Sequence, residues 1–204
     1  MGIRAVIFDL DGTITEPYFD FDAIREEIGL PRNGGPILEA MRDMDEAQRR
    51  FAESVLHRHE QLALEKSRLN PGARETLEAL RHKGIRIGVL TRNIRQNALE
   101  IGRRHNLVFD AVVGREDGPV KPDAFGVRWL CGHFGIPPAE AMVVGDYLFD
   151  IQCAKAAGAI AVLLANQPKA AEFAQYADFA IDRIDQILGI IKNRKEHRAA
   201  CRWV

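Results

Sequence analysis

Short apolar runs that stop abruptly at a polar residue recur along this chain, and segments of helical periodicity separate them. Ile3 to Phe8, Ile85 to Leu90, Phe109 to Val113, Ala141 to Val144, Ile160 to Leu164 and Phe179 to Ile181 are short and rich in branched residues, which predicts strands. Between them, Ala73, Leu77 and Leu80 mark one helical face and Ile94, Ala98 and Ile101 a second. Further helices are expected over 123–134 and 150–157, and around Ile184, Ile187, Leu188 and Ile191. Gly84 and Gly158 stand where two of these helices would end in a left-handed residue. Alternating strands and helices predict an α/β chain with a mostly parallel sheet covered on both faces.

One interval breaks the alternation. Residues 16–68 contain no convincing strand but carry helical candidates over Phe21 to Ile28, Ile37 to Met41 and Asp45 to Lys66, separated by Pro31 and the turn Asn33-Gly34-Gly35-Pro36. Phe51, Val55 and Leu62 suggest the buried stripe of the longest helix. The expected organisation is a discontinuous sheet domain, 1–15 with 69–204, and an inserted helical domain over 16–68. An insertion directly after the first strand suits a lid over the ligand-binding edge of the sheet, or a bundle that extends the core.

Bulk properties narrow the function class. At 204 residues and 47% hydrophobic, the chain can enclose a substantial core, and its formal charge of -1 gives no overall attraction to polyanions. No nucleic-acid partner is expected. No apolar stretch reaches membrane-spanning length and no leader precedes the first strand, so the expectation is a soluble, cytoplasmic protein with no membrane partner. Cys131, Cys153 and Cys201 form neither a C-x-x-C pair nor a disulfide framework. His57 and His59 diverge on their helix, and neither a G-x-G-x-x-G nor a P-loop string is present. The basic stretch from Lys192 to Arg202, ending at Trp203-Val204, reads as a solvated helix end or tail.

The chemistry gathers at strand ends. In open α/β sheets ligands collect at the carboxyl ends of strands, where the first strand presents Asp9-Leu10-Asp11-Gly12-Thr13. Side chains two apart share a face, so Asp9 and Asp11 are expected to meet one cleft. Two such charges resist joint ionisation unless a cation or a shared proton intervenes, and hard oxygen ligands favour magnesium (Mg2+). Asp-Gly is equally ordinary turn chemistry. Thr91, with the amides near Arg92 and Asn93, can bind a phosphoryl oxygen, or Thr91 can cap a helix. Lys121, between Pro119 and Pro122, can neutralise phosphate and keep an aspartate ionised, or be solvated. Asp146 and Asp150 flank a helix start, as metal ligands, caps or surface acids.

Taken together these residues point to phosphoryl transfer. Asp9 is the candidate nucleophile, and Asp11 the acid for the leaving oxygen and then the base for water. Mg2+ held by Asp9, the Asp11 carbonyl, and Asp146 or Asp150 would join Lys121 in offsetting charge on the phosphoryl oxygens.

At this point the chain resembles the haloacid dehalogenase superfamily in its capped phosphatase branch, most closely phosphoglycolate phosphatase-like enzymes. Asp9-Leu10-Asp11-Gly12-Thr13, Thr91, Lys121, and Gly145-Asp146 with Asp150 match that family's four motifs in order, from Val6 to Leu164. The resemblance implies a Rossmann-like core with a small inserted α-helical cap, magnesium dependence, and an aspartyl-phosphate intermediate on Asp9. It implies a small phosphorylated metabolite as substrate, such as phosphoglycolate or a sugar phosphate. Asp11 argues against the dehalogenase branch, where that position is typically tyrosine. Cap residues largely select the leaving group in such enzymes, which draws attention to Arg32, Arg42 and Arg49, although exposed arginines are common. A phosphomutase of the same superfamily and a catalytically silent interaction module are the competing readings.

Overall fold

A computed structural model of the protein describes residues 2–200, with side chains described to Arg194. Cys201, Arg202, Trp203 and Val204 lie outside the described residues. The chain divides into two compact units, one of them Tyr18–Ser67 and the other formed by the chain on either side of it.

In the sheet unit the strands are β1 (Ala5–Phe8), β2 (Arg86–Leu90), β3 (Ala111–Val113), β4 (Ala141–Gly145), β5 (Ile160–Leu164) and β6 (Phe179–Ile181). They form one parallel sheet in the order β3-β2-β1-β4-β5-β6. This is the doubly wound arrangement that the alternating pattern predicts, with the reversal of strand order between β1 and β4. Phe8 pairs with both Val89 and Val144, so β1, β2 and β4 end nearly level. The polar residues that follow them therefore leave the sheet along one edge.

The insertion contributes α1 (Phe21–Glu27), α2 (Ile37–Ala40) and α3 (Glu46–Glu65). The sheet unit carries α4 (Ala73–His82), α5 (Arg95–Arg104), α6 (Phe125–His133), α7 (Leu148–Ala157), α8 (Ala170–Ala174) and α9 (Ile187–Ala200). Ala5, Ile7, Val143, Ala161 and Leu163 pack with Val127 and Leu130 of α6 and Ile151 and Ala154 of α7. Alternation along β1 sends Val6 and Phe8 to the opposite face, where α4 packs on β2 and α9. Phe8, Ile7, Ile87, Met142 and Leu163 are fully enclosed, and each such side chain contributes about 1.5–3 kcal/mol of burial. That anchoring fixes where the strand ends, and the side chains beyond them, must lie.

Several boundaries differ from the sequence reading for local reasons. β1 begins at Ala5 and β3 at Ala111; at the sheet margin Arg4 N–H donates to Glu140 O and its carbonyl accepts from Arg86 N–H, while Asp110 N–H donates to Ile87 O. The helix expected from Asp150 starts two residues earlier, at Leu148. α8 has only five residues, too few to carry a periodic signal. Gly84 and Gly158 take φ of +67° and +83° just past their helices, as expected of left-handed stops.

Within the Tyr18–Ser67 unit, α3 starts in a capping box, with Gln48 N–H donating to Asp45 and the Gln48 side chain accepting from the Asp45 N–H. Ile24, Ile28, Ile37, Met41, Ala52, Val55 and Leu56 form its apolar centre. Of the expected Phe51-Val55-Leu62 stripe, Val55 is buried and the other two are not. Phe51 is 54% exposed and Leu62 only partly buried, and the buried face runs through Ala52, Val55, Leu56, Glu60 and Ala63. That face lies about 100° round the helix from the expected one, a rotation of one residue, because two of its members are alanines. At the two connections, Glu16 N–H donates to Arg68 O at 2.9 Å and Thr15 bridges Leu69, which keeps these residues with the sheet unit.

Candidate active site

Every strand-end residue singled out in the sequence belongs to the sheet unit, and most meet at its carboxyl edge. Asp9 continues β1, its N–H donating to Val144 O at 2.9 Å, and Thr91 continues β2 with a bond to Val113 O at 3.0 Å. Asp146 follows β4 directly, and Asp150 stands in the first turn of α7. Asp9, Asp146 and Asp150 are all buried, and an oxygen from each lies within 4.8 Å of the others.

Lys121 is the cation among them. Its Nζ donates to Asp9 Oδ1 at 2.5 Å and to Asp150 Oδ1 at 2.6 Å, with only 3% of the residue exposed. Asp150 keeps its capping role as well, since its other oxygen accepts from Tyr147 N–H at 3.1 Å. One carboxylate thus caps α7 and pairs with Lys121, and at 2% exposure it is not a surface acid.

The charges in this cluster do not balance: three buried carboxylates face one ammonium. Burial pushes the Asp9 carboxyl well above its ordinary range, against the pull of Lys121 and with the help of Asp150 and Asp146. Asp146 is pushed up to about 7, first by burial and then by the charge of Asp150. Burial works against the Lys121 ammonium, but Asp150 and Asp9 more than reverse that and hold it above the usual lysine range. A divalent cation fits the arrangement on two counts, an excess of buried negative charge and a donor set of hard oxygens. Asp9, Asp146 and Asp150 form a cluster capable of holding one.

Two glycines are demanded by this crowding. A Cβ on Gly12 would lie 2.3 Å from Asp146 Oδ2, and its φ of +90° independently disfavours a side chain. A Cβ on Gly145 would lie 2.1 Å from Asp150 Cγ. The Asp-Gly of the first motif is thus a turn glycine that also admits a neighbouring carboxylate.

The remaining expected residues are tied to one another. Thr91 Oγ1 accepts from Asn93 N–H at 2.9 Å, so that amide is used within the loop. The Asn93 side chain instead donates to Asp11 Oδ2 at 3.3 Å, and its own Oδ1 accepts from Ile94 N–H and from Asn97 Nδ2, each at 2.8 Å. Arg92 donates to the Lys121 carbonyl and stacks over the Phe149 ring, 4.8 Å from its centre. In the other unit, Arg32 pairs with Glu26 at 2.9 Å, Arg49 donates to the carbonyls of Met41, Arg42 and Met44, and Arg42 is exposed.

Three amides escaped the sequence reading. Asn70 Nδ2 donates to the carbonyls of Gly12, Thr13 and Thr15 at 2.8–3.0 Å. Asn166 Nδ2 donates to Gly12 O at 2.7 Å, and Gln167 Nε2 donates to Asp146 Oδ2. A signal for the last two was available: they follow β5 as Thr91 follows β2 and Asp146 follows β4. Asn70 had none, because its partners lie on the far side of the insertion.

The family profile of the haloacid dehalogenase-like hydrolases matches residues 3–158. The chain belongs to this family. It is a hydrolase of the phosphatase type with an aspartate-based candidate site, a Rossmann-like parallel core and a helical cap. It is 33% identical over 174 residues to a haloacid dehalogenase-like hydrolase domain-containing protein of Arabidopsis thaliana, covering 79% of this chain and 71% of that one. It is 30% identical over 191 residues to a phosphoglycolate phosphatase of Haemophilus influenzae, covering 78% and 84% respectively. The solved structure of a predicted phosphoglycolate phosphatase from Haemophilus somnus superposes with a TM-score of 0.69 at 26% identity, over 92% of this chain and 97% of that one. Among the described residues no helix is long and apolar enough to cross a membrane.

Proposed function

We propose that this hydrolase is a magnesium-dependent phosphomonoesterase that works through an aspartyl phosphate on Asp9. The observation that carries the reading is Lys121 Nζ bridging Asp9 and Asp150 in a buried cluster that also contains Asp146. A carboxylate fixed in this way is aimed as a nucleophile, and the Lys121 ammonium opposes the burial that disfavours its charge.

Asp9 attacks phosphorus, forming the Oδ–P bond as the ester P–O bond breaks, and protonated Asp11 passes its proton to the leaving oxygen. Water then attacks the same phosphorus, giving its proton to Asp11. The Oδ–P bond breaks, inorganic phosphate leaves, and Asp9 is restored. Lys121 offsets charge on the phosphoryl oxygens throughout. The Thr91 hydroxyl accepts from Asn93 N–H, which leaves its own proton free to donate to a phosphoryl oxygen. Asn93 holds Asp11 beside the reacting atoms through its 3.3 Å bond. Arg92 acts on the same site indirectly, through the Lys121 carbonyl. Asp9, Asp146, Asp150 and the Asp11 carbonyl would hold Mg2+, which would supply further positive charge to the phosphoryl group.

The substrate class is a small phosphorylated metabolite, phosphoglycolate or a sugar phosphate. The phosphoglycolate phosphatase of Haemophilus influenzae, at 30% identity, supports this assignment. The test is phosphate release from phosphoglycolate, sugar phosphates and nucleotides, with and without Mg2+, beside an Asp9→Asn control. Release that needs both Mg2+ and Asp9 is expected. A panel without release above the control removes the proposal, and isomerised sugar phosphate in place of inorganic phosphate reassigns the chain to mutase chemistry.

A further inference from the structure

The loop after β5 brings two consecutive amides onto the site from a strand that contributes no acid to it. Asn166 Nδ2 donates at 2.7 Å to Gly12 O, in the turn that carries Asp11, while Gln167 Nε2 donates to Oδ2 of Asp146. Asp146 is 2% exposed and lies so close to Gly12 that a Cβ there would touch Oδ2 at 2.3 Å. The Gly12 backbone and the Gln167 amide thus both close on the same carboxylate oxygen, Oδ2.

Lys121 acts on Asp146 only through its charge, because both of its carboxylate bonds go to Asp9 and Asp150. A buried carboxylate beside Asp150 needs a donor to keep its ionised form and to fix its rotation. Gln167 meets both needs, engaging one oxygen and leaving the other for an ion. A partner of this kind typically changes metal affinity about 10–100-fold when it is removed.

We propose that Gln167 is a positioning residue for the divalent-cation site, orienting the Asp146 carboxylate while Asn166 locks the adjoining Gly12 turn. The inference rests on the reading of Asp9, Asp146 and Asp150 as a cation site. Calorimetric titration of the full chain with MgCl2 separates the two. Wild-type protein should bind Mg2+ and Asp146→Asn should not. Gln167→Met, which keeps the length and volume but removes the donor, should raise the dissociation constant about 10–100-fold. Gln167→Asn, which keeps the amide on a shorter stem, should recover part of that loss.

Melting each variant in EDTA gives a second measurement. A Gln167→Met protein that melts like wild type yet binds Mg2+ weakly supports positioning. Binding by Gln167→Met within twofold of wild type overturns the inference and leaves the cation site standing. Absence of binding by wild type overturns the cation reading itself, and this inference with it. Should Gln167→Met melt far below wild type, Gln167→Asn decides: Mg2+ affinity equal to wild type in a folded Gln167→Asn protein overturns the inference, and an intermediate affinity supports it.

Discussion

Replacing Asp146 by asparagine should stabilise the metal-free protein, although it removes a residue of the proposed cation site. The Asp146 carboxyl stands at about 7 against 3.8 ordinarily, first because it is buried and then because Asp150 is beside it. A carboxyl whose folded value lies above its unfolded one opposes folding when ionised. The penalty is complete above about pH 7 and disappears as pH falls toward 3.8. At about 1.4 kcal/mol per pH unit, the displacement corresponds to an upper limit of about 4 kcal/mol. Asparagine keeps the shape and can still accept from Gln167, but its own buried amide costs about 1–2 kcal/mol. The net gain expected at pH 8 in EDTA is about 2 kcal/mol, or about 4–8 °C in melting temperature for a chain of this size. Melting curves for both proteins at pH 8 and pH 5.5 provide the assay. Groups common to both cancel in the difference, so the advantage of Asp146→Asn should shrink at pH 5.5, where wild-type Asp146 is largely protonated. Added Mg2+ at pH 8 should raise the wild type and leave the variant unmoved. A variant no more stable than wild type at pH 8, or an advantage independent of pH, would refute the charge argument.

Asp11→Asn should slow the chemical step far more for alkyl phosphates than for p-nitrophenyl phosphate, whose leaving oxygen needs little proton assistance; equal losses in single-turnover measurements would oppose the acid role. Gly12→Ala should cost about 2 kcal/mol or more in urea unfolding and abolish calorimetric Mg2+ binding, since the new Cβ meets Asp146 Oδ2 at 2.3 Å in a backbone with φ of +90°. In the insertion, Val55→Ala should lower stability by about 1–3 kcal/mol while Phe51→Ser changes it by less than about 0.5 kcal/mol, the reverse of what side-chain size suggests, because Val55 is 3% exposed and Phe51 54%. Asn70→Ala should destabilise by about 1–3 kcal/mol, because it strips three carbonyls of one shared donor, and thermal melting reads this directly.

The parts of the fold legible in the sequence are those fixed by burial on two sides. β1, β4 and β5 are enclosed on both faces of a parallel sheet, so they read as unbroken apolar runs with sharp ends. The ends of β1 and β4 then locate Asp9 and Asp146, and the end of β2, buried along all but its first residue, locates Thr91. α3 was harder to read, because its buried face contains Ala52 and Ala63 and its largest apolar residue, Phe51, points to solvent. Amphipathic helices are assigned by the large residues, and here the small ones define the contact.

The amides show why a candidate site is only half visible in a chain. An acid at a strand end announces itself because a carboxylate is costly there unless something uses it. Asn70, Asn166 and Gln167 carry no such cost in a loop, and their value arises only from the carbonyls and the carboxylate that folding brings to them. Residue type therefore reveals where charge must be compensated, whereas the groups that orient that charge leave at most a position after a strand end, as Asn166 and Gln167 do after β5. In this site the distinction falls between neighbours in space: Asp146 follows from β4 and its polar end, and the Gln167 amide that holds it follows only from the return of β5 to the same edge of the sheet.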